Sequence, residues 1–193
     1  MCESEKEKHI FRLPSNMFCL EHQCALRGRK LVLGEDHPHT LVTMTNLALV
    51  KGDLGNHQAA LEGYEDVLRK KEAKLGANHP STLLTLHNLA MTHSLLGHRD
   101  EAMKRKKDVV DRRTLAHGAN HPDTLISMYN LALEHCKHDD LSTGLELFER
   151  ILPLQTEKLG ETHPDTVKTR DAIAQCREEL EEKGTAAMPA VDS

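Results

Sequence analysis

The 193-residue chain carries 25 Lys and Arg against 30 Asp and Glu, a net charge of -5, which argues against a general nucleic-acid or membrane-surface binder. It has no Trp, two Tyr and three Phe, which excludes a compact core built on aromatic residues and leaves the packing to regularly spaced Leu and Ala. The five cysteines are odd in number and hold no CxxC, so a disulfide framework is not expected; with no apolar run of transmembrane length and a charged start, "MCESEKEKHIFRL", the chain is expected in the cytoplasm.

Residues 1–14 form an N-terminal segment open to disorder. The stretch "SNMFCLEHQCALRGRKLVLG" that follows reads as the second helix of a decayed unit, a partial repeat over 15–37. A nine-letter phrase then recurs: "LGEDHPHTL" at Leu33, "LGANHPSTL" at Leu75, "HGANHPDTL" at His117 and "LGETHPDTV" at Leu159. Self-similarity at one fixed period decides the fold. Within 38–79, Leu41, Met44, Leu47, Ala48 and Leu54 recur at helical steps, and Gly55 ends the pattern. Ala60, Leu61, Tyr64, Val67, Leu68 and Leu75 mark a second helix, which Gly76 ends. The unit returns over 80–121 and 122–163, each predicted to be two helices with a Gly after each. Ala60, Ala102 and Gly144 align where the two helices of a unit should pack closely. Pro153 is expected to kink the last second helix near Ile151. A terminal helix over 164–183, with a Glu- and Lys-rich outer face, caps the array, and 184–193 is expected to be a disordered tail. In the repeated HPxT, Pro suits the first helical position, so His37, His79, His121 and His163 fall at helix boundaries.

Candidate chemistry is sparse. Besides the boundary copies, His93 and His98, His135 and His138, and His117 and His121 are close in sequence, but HExxH is absent and no two pairs converge by spacing. GxSxG is absent. Cys136 adjoins His135, and neighbours one apart on a helix do not face each other, so it is expected to be a half-buried thiol. Cys19 and Cys24 share one helix without a nameable partner. The run "KRKKDVVDRR" from Lys104 to Arg113 has Asp100, Glu101, Asp108 and Asp111 interleaved and few aromatics, so it is expected to be a solvated convex face. No catalytic residue, metal or cofactor is expected.

Tandem helix pairs with "TNLAL" at Thr45, "HNLAM" at His87, "YNLAL" at Tyr129 and LGxxHPxT between units resemble the tetratricopeptide repeat, in its 42-residue kinesin-light-chain type. The same type occurs in the arrays of some nucleotide-binding immune-type receptors. The chain shows neither a heptad coil in 1–33 nor a phosphate loop, and Thr45, His87 and Tyr129 stand where kinesin light chains read Asn.

The resemblance implies an all-α, right-handed solenoid of stacked antiparallel helix pairs, whose first helices line a concave groove. It places Thr45, His87 and Tyr129 in that groove with Leu49, Met91 and Leu133 a turn later, Val42, Leu84 and Ile126 a turn earlier, and Asn46, Asn88 and Asn130 at its edge. The implied function is non-catalytic: a scaffold binding a peptide segment of a partner protein, as in kinesin-light-chain cargo or adaptor binding. The alternative is a spacer or sensor fragment of a larger protein. Self-association through the incomplete first unit, near Phe18, Cys19 and Leu20, is the other expected contact. Neither nucleic acid nor membrane is an expected partner.

Overall fold

A histidine sets each restart of the repeat. The Nδ1 atoms of His37, His79, His121 and His163 accept hydrogen bonds from the backbone N–H of His39, Ser81, Asp123 and Asp165, at 3.1 to 3.2 Å. A side-chain acceptor at this position satisfies a backbone donor that the first turn leaves unpaired. The Pro that follows each His has the φ of the first helical turn already fixed. The Thr of HPxT is wholly buried in every copy, at Thr40, Thr82, Thr124 and Thr166.

The structure, a computed structural model, describes residues 15–186. Among them are eight helices and no strand: α1 Ser15–Leu33, α2 Pro38–Asp53, α3 His57–Leu75, α4 Pro80–Leu95, α5 Arg99–His117, α6 Pro122–Lys137, α7 Leu141–Leu159 and α8 Pro164–Ala186. First helices α2, α4 and α6 each have 16 residues, and second helices α3, α5 and α7 each have 19. The expectation for residues 1–14 lies outside the described residues. Of the tail expected over 184–193, the first three residues close α8 and the others lie outside the described residues.

Short connections make successive helices antiparallel, and each packs on the next. In addition, α2 reaches α4 directly, so the first helices approach one another on one side, the inner side of the stack. The result is the expected all-α solenoid of stacked helix pairs.

One local expectation is corrected. The first helix of the third unit ends not on Gly but on Asp139, which takes the left-handed φ of 70° that Gly55 and Gly97 supply in the other units. Asp139 also pairs with Lys183 of α8. Pro153 lies inside α7, whose helical span continues past it to Leu159. Pro153 is exposed while Ile151 is wholly buried, so the missing N–H lies on the wet side, where water can satisfy the freed carbonyl.

The apolar core forms two clusters. One gathers Ala48, Ala60, Leu61, Tyr64, Leu68, Leu86, Leu89 and Val109, and the other Leu125, Met128, Ala132, Phe148, Ile151, Ile173 and Cys176. Helices within a unit meet closely at the aligned small residues. A Cβ on Gly52 would stand 3.6 Å from the Ala60 Cβ, an ordinary contact. In the third unit Cys136 occupies the Gly52 register and Gly144 the Ala60 register; a Cβ on Gly144 would stand 2.3 Å from the Cys136 Sγ and 3.1 Å from the Ala132 carbonyl oxygen. The larger residue on one helix is matched by the smaller one on the other.

Gly144→Ala is therefore expected to destabilise the fold by about 1–3 kcal/mol through overpacking. Adding Cys136→Ala removes the sulfur, and chemical denaturation of the two single variants and the double should show favourable coupling. Strictly additive effects would refute the contact.

Candidate functional site

Polar contacts join the units. Near the ends of α1, α3 and α5 a cation donates to the next first helix; Lys71 and Arg113 are buried there and Arg29 is exposed. The Arg29 guanidinium donates to the Thr43 hydroxyl and the His39 carbonyl. The Lys71 ammonium donates to the hydroxyls of Thr85 and Thr45, at 2.8 and 2.9 Å, and to the Ser81 carbonyl at 3.2 Å. Arg113 donates to the Ser127 hydroxyl at 2.7 Å and the Asp123 carbonyl at 2.8 Å. In sequence these cations lie one repeat apart, five residues before Gly34, Gly76 and Gly118. Lys71 has no carboxylate partner among these bonds, and burial pushes its pKa down to about 8.

The middle unit carries a second buried charge network. Lys106 stands at the register that Tyr64 and Phe148 hold in the neighbouring units. It pairs with Glu134 at 2.6 Å and donates to the Asn130 carbonyl at 3.3 Å. Glu134 also accepts from the Ser94 hydroxyl at 2.7 Å and lies 3.0 Å from His138 Nε2. Burial alone would raise the Glu134 pKa, but donors Lys106 and Ser94 outweigh it and hold the carboxyl down at about 2. The basic run from Lys104 to Arg113 is accordingly not a wholly solvated face. Lys106 and Arg113 are buried, and Arg112 bridges Glu72 and Asp108 at 2.7 and 2.8 Å.

The inner face carries three rows. Val42, Leu84, Ile126, Leu49 and Leu133 are apolar yet 42 to 50% exposed, and Met91 is half-buried in the same register. Asn46, Asn88 and Asn130 run between these rows; Asn46 is exposed and the other two half-buried. Positions three, four and seven apart share one helix face, which explains why 42, 46 and 49 appear together.

The residue before each Asn sits differently. Thr45 does not face open space: it is 7% exposed and its hydroxyl accepts from Lys71 and donates to the Leu41 carbonyl. His87 is half-buried, and its pKa is pushed down to about 4 by burial and by Arg113 and Lys106, with Asp123 opposing. It is a neutral group. Tyr129 packs its ring 5.2 Å from that of Phe148 and is turned partly into the core. The Asn88 side chain hydrogen-bonds Tyr64, whose pKa burial and Asp53 push up to about 12, so Asn88 ties one unit to the next as well as edging the face.

Two cavities of about 280 Å³ open along these rows. One brings Leu49, Asn88 and Met91 together with Tyr64, Thr92 and Leu95. The other brings Ile126, Tyr129 and Asn130 together with Gln155, Asp165 and Lys168. A wider notch at Asp36, Arg69 and Lys74 lies on α3, away from the rows.

The other singled-out residues are structural. His93 and His98 share a hydrogen bond at 3.3 Å between their Nδ1 atoms, and His135 bonds Asp140, the N-cap of α7, at 2.8 Å. Cys136 lies 3.5 Å from Cys176 Sγ, and its pKa is pushed up to about 12 by burial and by that neighbour. Cys19 accepts a hydrogen bond from Gln23. Among the described residues, no group of three or more His, Cys, Asp or Glu is placed to hold a metal ion, and no helix is long and apolar enough to cross a membrane.

Sequence profiles described as tetratricopeptide repeat match residues 21–73 and 45–114, and a second such profile matches 124–165. The fold is similar to the crystal structure of a kinesin-light-chain protein from Podosopora anserina with nearly identical TPR-like repeats. Its Q17M form has a TM-score of 0.77 and 23% identity over 89% of this chain and 81% of that one. A second crystal structure of that protein gives 0.76 at 23% identity, over 89% and 82%. BtubC (BKLC) from P. vanneervenii gives 0.76 at 18% identity, over 93% and 76%. No curated protein matches the chain in sequence.

The Lys71 junction makes a pH prediction. The lysine's ordinary pKa is 10.5 and its folded value about 8, so the unfolded chain holds the proton more tightly. Below pH 8 both states are protonated and the fold carries the whole cost of the buried charge. As pH rises from 8 to 10.5 the folded chain sheds the proton and that cost disappears. Stability relative to Lys71→Met should therefore rise by about 3 kcal/mol across this window, read by denaturation at a series of pH values. A flat difference would show that the ammonium is solvated.

Proposed function

Since the chain belongs to the tetratricopeptide repeat family, we propose that it is a non-catalytic protein-interaction scaffold that holds a peptide segment of a partner on its inner face. The observation that carries this reading is the open row of Val42, Leu84 and Ile126 beside the row of Leu49, Met91 and Leu133, with Asn46, Asn88 and Asn130 between them. Apolar side chains held in solvent at a constant repeat give a ligand area to bury, and carboxamides between them can pair with its backbone. A single linear segment held this way binds at about micromolar affinity. Kinesin-light-chain-like cargo or adaptor binding in the cytoplasm is the specific form of this proposal.

A second reading is a spacer or sensor fragment of a larger protein, with no peptide site of its own. The Asn88–Tyr64 bond favours it, because one of the three carboxamides already serves the array internally. Self-association at the first unit is a further proposal, supported by the exposed Leu20, Leu31 and Val32 on α1; the Phe18 side chain lies outside the described residues.

Peptide display against the intact chain separates the readings. Leu49→Glu/Leu133→Glu changes only open positions, so its helicity should be unaltered while retained peptides lose at least tenfold in affinity. The Asn46→Ala/Asn88→Ala/Asn130→Ala variant should show a comparable loss. No enriched peptide, or equal retention by folded variants, would reject the groove in favour of the spacer.

A further inference from the structure

The series of cations at the junctions breaks once. Arg29, Lys71 and Arg113 each reach into the next first helix, but the fourth member of the register is Gln155. The groups it faces by register are Thr169 and Asp165, matching the Thr85 and Ser81 that Lys71 bonds. Thr169 donates its own proton to the Asp165 carbonyl at 3.0 Å, so its lone pairs remain to accept. Gln155 is 3% exposed, and its Oε1 has no hydrogen-bond partner. An unmatched buried acceptor is unfavourable in a folded chain, and it marks a place where a donor is wanted.

Space for that donor lies beside it. The cavity of about 280 Å³ is walled by Gln155, Asp165 and Lys168 from the junction and by Ile126, Tyr129 and Asn130 from the inner face. Lys168 stands 3.6 Å from the Asp165 carboxylate and is 65% exposed, so its ammonium sits at the rim. Burial, then the Asp165 and Asp171 carboxylates, push the Tyr129 hydroxyl pKa up, so negative charge lies near that side chain. Asp165 itself walls the cavity.

We infer that this cavity is a subsite for a cationic side chain, arginine or lysine, of the partner peptide, which donates to the last junction as Arg29, Lys71 and Arg113 donate to the earlier ones within the chain. The inference rests on the reading of the inner face as a peptide groove. It adds a register: the positive residue of the ligand lies at the α6–α8 end, and its apolar residues lie along the rows toward α2.

The test uses the full chain, with Nα-acetyl-arginine amide, Nα-acetyl-lysine amide and the neutral isostere Nα-acetyl-citrulline amide as probes, followed by NMR at the Gln155 side-chain amide and the Tyr129 ring. The cationic probes should shift these resonances with at least tenfold higher affinity than citrulline. Gln155→Arg supplies the guanidinium in cis and should abolish the response while raising Tm. Lys168→Ala removes the rival cation at the rim and should strengthen probe binding several-fold, which keeps the test open should Gln155→Arg fold poorly. Equal binding of citrulline and arginine, or an arginine response unchanged by either variant, would overturn the subsite. If peptides are retained by the rows while the probes fail to discriminate, the groove stands and the subsite falls. If the cationic probes bind at Gln155 and no peptide is retained, the cation site stands and the groove reading fails.

Discussion

Two junctions of this array hold a positive charge carried out of water. A second helix delivers Lys71 or Arg113 into the first turns of the following helix, where hydroxyls and carbonyls receive it. Such a charge is unfavourable in an apolar medium unless its donors are matched, so only one relative placement of neighbouring units is tolerated. Apolar packing alone is permissive about small rotations between helices, whereas a forked donor reaching two acceptors is not. The constant register of the stack, and hence the alignment of the rows on its inner face, follows from that restriction.

The middle unit shows what happens when the same logic enters the core. Tyr64 and Phe148 fill their sites with aromatic volume, but the register between them holds Lys106 with Glu134. Removing one member of such a pair strands the other, so the two residues must be exchanged together or not at all. Ser94 and His138 are further partners of the carboxylate, and Lys137 reaches both the Ser94 hydroxyl at 3.1 Å and the carboxylate at 3.9 Å from the surface. The network also brings charge up to the Asn130 carbonyl behind the inner face, without placing a free ion on it.

The architecture was legible because its signals are local and repeated. HPxT announces a helix start through proline geometry and a boundary histidine, glycines announce most ends, and the NLA phrase fixes the register. Side-chain roles that depend on three-dimensional neighbours were harder to read. Lys and Arg on a helix are usually solvated, so the sequence alone places Lys106 and Arg113 at the surface. Aligning the copies would have set Arg29, Lys71, Arg113 and Gln155 in one column, and that column was the missed signal. The resemblance puts position 45 on the open face, where kinesin light chains read Asn, whereas a threonine is short enough to turn inward and bond Lys71. The left-handed turn at Asp139 has no glycine to announce it.

The division of the core into two clusters, with a charged pair between them, has a consequence for how the chain opens. Stacked repeats unfold as one body only where strong nearest-neighbour coupling links them all. Here the apolar coupling is continuous within each cluster and thins at the boundary, where Val110 of α5 joins the buried Lys106–Glu134 pair, so the boundary is the place where a crack can start and stop. The half around Tyr64 and the half around Phe148 become separate protection blocks for amide exchange, and acid that neutralises Glu134 widens the difference between them. A pull applied along the array would find the same seam and lengthen the molecule there before either half comes apart.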